Sequence, residues 1–356
     1  MKTKVKTNDI SRGLKACVNA TDVKDDIRKC IQFEAENDSL KISASNSLYS
    51  IFFSCDATVD DEGMAVVDGR TVYNVIAKAT DNCSFTANDR SMVVNARGKT
   101  TIPNINREIP FPEESDGKNV TCDSVDFKNA VNKILYAISE DQSRVILTGA
   151  HFVTDGNFAT LTALDGFRMA QTTFACEGDV VDVVIPARVL SDVCDTIVSG
   201  ALNICAGNTR ISFAHNEFRF NSALLAGSYI DTNRLLPKDF AVKVLAKTSD
   251  IKDMIDSATI ASGKSNLVKL QFANDKITFS SNSESATFQG DIDAMIDGTD
   301  VDIAFNLRYL SNAINHISTE QCVIRMNSSV APAIIVPYAE NTVPDIHLIL
   351  PVRIFG

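Results

Sequence analysis

Gly69-Arg70-Thr71-Val72-Tyr73-Asn74-Val75-Ile76, Ala187-Arg188-Val189-Leu190-Ser191-Asp192-Val193-Cys194 and Leu307-Arg308-Tyr309-Leu310-Ser311-Asn312-Ala313-Ile314 are three versions of one stretch. Their arginines stand 118 and 120 residues apart. Apolar residues follow at matching offsets, as Val72/Val75/Ile76/Ala79, Leu190/Val193/Cys194/Ile197 and Leu310/Ala313/Ile314/Ile317. Spacing of i, i+3, i+4, i+7 describes one buried helix face, and three copies at one period predict one fold used three times.

The neighbouring sequence repeats as well. Asp9-Ile10…Leu14…Cys17, Asp126-Phe127…Val131…Ile134 and Asp250-Ile251…Ile255…Ala258 predict a second helix per unit, with the Asp or a nearby Ser or Thr at its N-cap. Leu40–Asn46, Ala159–Asp165 and Lys276–Asn282 alternate with a β-branched bias and close on Asn or Asp, so they read as half-buried strands running into turns. Asp155-Gly156 and Asp297-Gly298 mark further turns. Proline and acidic residues mark one seam at Ile109–Gly117, and Leu236-Pro237-Lys238-Asp239-Phe240 marks another. The expected fold class is α+β, with three repeated domains at 1–117, 118–239 and 240–356, each with two helices packed on antiparallel sheet. A period near 118 is too long for a solenoid repeat.

The 356 residues carry a net charge of −11, with 45% hydrophobic and 22% charged residues, which excludes wholesale disorder. Such a chain is not expected to wrap nucleic acid in bulk positive charge or to sit on an anionic membrane. Residues 1–118 nevertheless hold 16 of the 34 Lys and Arg. No apolar run approaches a membrane span, and Met1–Asp9 has no signal-like apolar core, so a cytoplasmic location is expected. The nine cysteines are spread evenly without a C-x-x-C pair, which fits reduced core thiols better than disulfides or zinc.

Four stretches resemble the bacterial DNA polymerase III beta subunits, the replication sliding clamps. Arg144-Val145-Ile146-Leu147-Thr148-Gly149, followed by Leu161–Ala170, is similar to a family signature in which a Leu-x-Gly strand precedes a Thr-Asp-(Gly/Ser)-His-Arg-Leu turn. Leu225–Pro237 resembles the family's Asp-Gly-x-(Tyr/Phe)-Pro-Asp-x-x-Arg segment, Phe305–Leu310 its third-domain helix opening, and Leu348–Arg353 its Pro-x-Arg terminus. The likeness covers the whole chain and is weakest in the first third, where Asp25–Cys30 replaces the family's Pro-Ile-Leu.

The resemblance implies a head-to-tail homodimer, a six-domain ring around duplex DNA held without regard to base sequence. Sheets continued across every boundary leave no exposed edge, and a heterologous contact that closes makes a ring. Partners implied are a clamp loader, the replicative polymerase alpha subunit, and repair factors bearing short Gln-Leu-x-Leu-Phe peptides; no cofactor and no metal are implied. Carried over by motif, the peptide pocket between the second and third domains is Leu147, Leu164, Gly166, Phe167, Arg168, Met169, Ile230, Arg234, Leu235, Leu348, Leu350, Pro351, Val352, Arg353 and Ile354. DNA-facing positions are Lys24, Arg144 and Arg188, and Ile109 is expected to meet Thr259 and Ile260 across the dimer interface. Each of these also has a plainer reading, as core packing or solvated charge. Phe167 stands where the family has His and Ile230 where it has Pro, which enlarges the apolar wall and frees a turn. Altered peptide preference, leaning toward aromatic partners, is expected. Val145 and Ile146 stand where the family often has aromatics that stack on single-stranded template.

An enzyme reading finds little. No P-loop, G-x-G-x-x-G, H-E-x-x-H or G-x-S-x-G occurs, and His151, His215, His316 and His347 are scattered. The acidic pairs Asp60-Asp61 and Asp291/Asp293 sit in polar, turn-like sequence. A hydrolase with a cleft invisible in sequence, and a divergent paralogue with a structural or regulatory role, stay open as alternatives to a non-catalytic processivity factor.

Overall fold

The computed structural model describes residues 1–22, 24–105, 107–339 and 345–353. Six α-helices occur among them: α1 Thr7–Asn19, α2 Gly69–Ile76, α3 Ser124–Ile134, α4 Ala187–Thr196, α5 Thr248–Ala261 and α6 Leu307–Asn315. They fall two to a sequence repeat, where the periodicity places them. The three strands expected from alternation appear as Ser39–Ser45, Phe158–Leu164 and Lys276–Asn282.

The caps differ from expectation in α1 and α5. Their N-caps are Lys6 and Lys247, neither with a capping side chain, and Asp9 and Asp250 lie inside the first turn. There a carboxylate interacts with the helix dipole rather than with a single N–H. In α3 the capping oxygen comes from Asp123, whose carboxylate accepts from Val125 N (2.8 Å) and Asp126 N (3.2 Å). Asp68 and Asn306 cap α2 and α6, accepting from Thr71 N and Arg308 N.

Contacts divide the chain into two compact units. The first comprises 1–128, 154–157 and 175–226. It holds a five-stranded antiparallel sheet in the order Thr58–Asp61, Lys2–Lys6, Asn82–Ala87, Ser91–Asn95, Lys99–Pro103. A second antiparallel run pairs Gly63–Asp68, Cys30–Glu36, Ser39–Ser45 and Tyr49–Asp56 in turn, then crosses to Phe218–Ala223, Arg210–His215, Ala201–Ala206 and Lys118–Asp123. The crossing is the register Phe218↔Phe53 through Ser222↔Tyr49. Strands of the first and second sequence repeats therefore share one hydrogen-bonded sheet, and contact density does not part them where the repeats do.

The second unit comprises 129–153, 158–174 and 227–356. One of its sheets runs Thr287–Asp293, Lys276–Asn282, Leu267–Ala273, Val301–Asn306. The other runs Met295–Asp297, Val242–Lys247, Gln321–Met326, Ala333–Pro337, Ile346–Ile349, and reaches the first residues of Arg168–Gly178. Ile251, Ile255 and Ala258 of α5 and Leu310, Ala313 and Ile314 of α6 pack with Phe272, Phe279 and Phe305 into one core. Each such aromatic, fully buried, contributes about 2–3 kcal/mol.

The nine cysteines are all free, and seven are buried. Burial pushes the Cys30, Cys83 and Cys322 thiols up to about 11 and those of Cys55, Cys122 and Cys194 to about 12. They are poor nucleophiles in this state.

Candidate peptide-binding site

The site grows from one short turn. Phe158–Leu164 leads through Asp165-Gly166-Phe167 into the strand starting at Arg168. Asp165 holds the turn with one carboxylate oxygen, accepting from Phe167 N (2.8 Å) and Arg168 N (3.0 Å). Its other oxygen accepts from Arg168 Nε at 2.8 Å. Gly166 lies at φ +94°, a conformation that a Cβ makes costly.

From that turn, Arg168, Met169, Ala170 and Gln171 pair with Ile349, Leu348, His347 and Ile346. Leu350 N donates to Phe167 O (2.8 Å) and Val352 N to Ala304 O (2.8 Å), which docks the segment after the last strand. The pairing brings Met169 and Leu348 together with Leu147, Leu164, Ile334 and Val336 in a buried cluster. Ile146, Tyr229, Leu236 and Phe240 cover it in part.

Apolar groups face water around the turn: Phe167 is 59% exposed and stacks on Tyr309 at 6.1 Å, and Leu350, hydrogen-bonded to Phe167 O, is 37% exposed. Val352, Leu235 and Ile230 are also exposed, at 40–42%. The Arg168 guanidinium lies over the Tyr309 ring (4.4 Å) and the Tyr136 ring (5.3 Å). Its Nη1 is buried and has no acceptor among the described residues. A cavity of about 680 Å³ opens here, lined in part by Leu135, Tyr136, Arg144, Gly166, Phe167, Arg168 and Tyr309. Such a surface can take apolar side chains while a guanidinium fixes a peptide's polar atoms.

The expected site residues thus divide. Leu147, Leu164, Met169 and Leu348 are buried together in the cluster, and Gly166, Phe167 and Arg168 line the cavity. Arg234 is exposed and pairs with Asp231 (2.9 Å), one residue before the exposed Leu235. Pro351 is half-buried and Arg353 exposed; Ile354 lies outside the described residues. Arg144 to Thr148 is not strand: two short 3-10 turns merge at Arg144, and strand begins at Gly149. The Asp141 carboxylate, accepting from Ser143 N, starts that helical segment. Tyr136, Tyr309, Ile334 and Val336 were missed. Tyr309 lies within Leu307–Ile314, whose periodicity marks a helix face but does not show which ring faces Arg168.

Of the expected DNA-facing residues, Lys24 and Arg144 are exposed, and Arg144 lines the cavity just described. Arg188 pairs with Asp192 at 2.6 Å, and this bond holds its guanidinium even more firmly protonated. Ile109 is 3% exposed and packs in its own unit against Cys30 and Val66. On α5, Thr259 Oγ1 donates to Ile255 O, and Ile260 is 82% exposed.

Behind the site, His347 is buried with Nδ1 2.7 Å from the Tyr136 hydroxyl. Burial brings its pKa down to about 4, against the pull of Asp345 and with help from His316 and Lys133. The unfolded chain then binds a proton that the folded chain refuses between about pH 6.5 and 4. Stability from neutral His347 is complete above that window and lost as pH falls through it, about 3 kcal/mol in all. Thermal unfolding of wild type and His347→Gln across this range checks it: the variant's melting temperature is expected to fall less steeply on acidification, and parallel curves would contradict it.

Two family models match, the DNA polymerase III beta subunit central domain over residues 121–231 and its C-terminal domain over 233–353. Beta sliding clamps of Staphylococcus epidermidis and Staphylococcus aureus are 26% and 25% identical over 348 residues, covering 91% of each chain. The DNA polymerase sliding clamp structure of Bacillus subtilis superposes with a TM-score of 0.94 at 22% identity, covering all of both chains. A DNA polymerase III beta chain from Streptococcus pneumoniae gives 0.93 at 23%, over 99% of this chain and all of that one. Repeated helix pairs on antiparallel sheet, with these likenesses, define a DNA clamp, a non-catalytic processivity factor. The chain belongs to the bacterial DNA polymerase III beta subunit family. That identity brings encircled DNA, a polymerase, a clamp loader and a homodimer. Among the described residues no helix is long and apolar enough to cross a membrane.

Proposed function

We propose that this clamp tethers its polymerase and repair partners by taking short Gln-Leu-x-Leu-Phe type peptides at the Asp165–Met169 turn. The observation that carries the reading is the pairing of Arg168–Gln171 with Ile346–Ile349, beside which exposed Phe167, Leu350 and Val352 rim a buried apolar floor. Partner Leu and Phe side chains insert at that rim, and the Arg168 guanidinium, already desolvated against two tyrosines, holds a backbone carbonyl or side-chain amide. Phe167 adds an aromatic face, which favours aromatic partner residues. Calorimetric titration of a Gln-Leu-x-Leu-Phe peptide tests the site: a dissociation constant on the order of micromolar, about −8 kcal/mol, is expected. Absence of heat and of competition by any partner segment would sink it.

The same reading assigns three domains, at 1–117, 118–239 and 240–356, to each protomer of a six-domain ring, with Ile109 and the Thr259–Ile260 region near its dimer contact. Encircled DNA places its work in the cytoplasm. Retention is topological, so a few basic side chains against phosphate are enough, and Lys24, Arg144 and Arg188 are assigned that role. Replacing each by Ala is expected to weaken binding to nicked circular DNA without regard to sequence. The log–log salt dependence should fall by about one unit per lost phosphate contact. An unchanged salt slope in all three variants would refute the assignment.

A further inference from the structure

A second groove, of about 700 Å³, lies in the same unit beside Phe240 and Tyr338. Lys238, Lys243 and Arg325 line it, against a single carboxylate, Asp239. None of the three cations makes an ion pair among the described residues. Arg325 Nε is buried without an acceptor there, and its guanidinium sits 5.9 Å from the Phe240 ring centre. Lys243 and Arg325 stand directly opposite each other on paired strands, a like-charge arrangement that is unfavourable without an anion between them. Asp297, across from Lys243 on its other flank, leaves it unpaired.

The corresponding groove in the first unit, beside Phe111, shows what a self-satisfied surface looks like. There Lys41 pairs with Glu34 (3.7 Å) and Arg219 with Glu114 (3.2 Å). The cationic groove is also continuous with the peptide site. Lys243↔Arg325, Arg325↔Ile334, Ile334↔Leu348 and Leu348↔Met169 are successive cross-strand partners, so these five residues share one face of the sheet. The row is cationic at one end and apolar, within the floor of the peptide site, at the other.

We propose that this groove receives an acidic segment flanking the hydrophobic motif of a partner peptide, an inference that rests on the peptide-binding reading above. Leu348 and Arg325 are two strand spacings apart, about 10 Å, which about three extended residues span. Charge complementarity is local and unusual here, because the chain as a whole is at −11. The carboxylates neutralise the Lys243–Arg325 pair and supply an acceptor near Arg325 Nε.

The test titrates wild type with the plain Gln-Leu-x-Leu-Phe peptide and with versions carrying a short run of glutamates on the amino or the carboxyl side. One extended peptide is expected to bind about tenfold tighter than the plain one at about 50 mM salt, with the gain removed at about 500 mM. The exposed pair Lys238→Gln/Lys243→Gln abolishes the gain and leaves affinity for the plain peptide unchanged; Arg325→Gln does the same separately. Equal affinities for plain and extended peptides overturn the groove and leave the peptide site standing. Failure of all three peptides overturns the site and this inference with it. Displacement of only the extended peptide's gain by a single-stranded oligonucleotide assigns the groove to nucleic-acid phosphate and overturns it as well.

Discussion

Replacing Arg168 and Leu350 together by alanine is expected to weaken Gln-Leu-x-Leu-Phe binding at least a hundredfold, a loss of about 2.8 kcal/mol. On the proposed reading Arg168 is the anchor. Asp165 holds its Nε at 2.8 Å, its guanidinium lies 5.3 Å and 4.4 Å from the Tyr136 and Tyr309 ring centres, and Nη1 is left without an acceptor among the described residues. A peptide oxygen that reaches Nη1 meets a donor already ordered and dehydrated, so little further cost remains. Leu350 supplies apolar area at the open rim, with its backbone fixed to Phe167 O. The residues adjoin, so their effects are not expected to add. Leu350→Ala alone is partly exposed and leaves the fold intact; it should cost about tenfold. Wild-type affinity in the double variant, with Leu350→Ala silent, would move the peptide elsewhere on the surface.

A large stability effect is expected at Gly13, in the middle of α1. Helix propensity alone makes Gly13→Ala stabilising by about 1 kcal/mol. Packing reverses the sign. A Cβ at this position would sit 2.1 Å from Phe53 Cδ1 and 2.2 Å from Cγ, against a ring that is 4% exposed and packed 5.0 Å from the Phe218 ring. Phe53 is a stiff ring whose displacement disturbs its packing on Phe218, so a net loss of about 3 kcal/mol is expected. Chemical denaturation of Gly13→Ala should show the transition of the first unit moved to lower denaturant. Adding Phe53→Leu should restore part of the loss, since the smaller side chain makes room. A variant more stable than wild type would show that α1 can lift off the sheet freely.

The repeat and its helix faces were legible because they rest on local chemistry. Leu190, Val193 and Cys194 recur at helical spacing whatever surrounds them, and all are buried in α4. The motif around Asp165-Gly166 was legible for a similar reason: a short acid accepts from the next two N–H groups, and glycine frees the backbone at +94°. Cap positions at α1 and α5 were misread because Asp9 and Asp250 satisfy a first-turn preference as well as a cap preference. The family likeness implies strand at Leu147-Thr148-Gly149, whereas 3-10 turns run over Gln142–Thr148 and strand starts only at Gly149. A short apolar run does not by itself choose between the two.

Sequence by itself determined the threefold α+β pattern, the family, and the chain positions of the turn and the final strand on which the proposed site is built, since these depend on residues close together in the chain. Only the tertiary structure decided which groups meet. It set Arg168 against Tyr136 and Tyr309, placed Arg144 in the cavity beside Gly166, and buried Ile109 against Cys30 and Val66. It also joined Phe218–Ala223 to Tyr49–Asp56, and aligned Lys243 with Arg325 on the face that carries Leu348. Such partners lie tens to hundreds of residues apart, and their meeting depends on strand register, which every pairing in the sheet fixes at once.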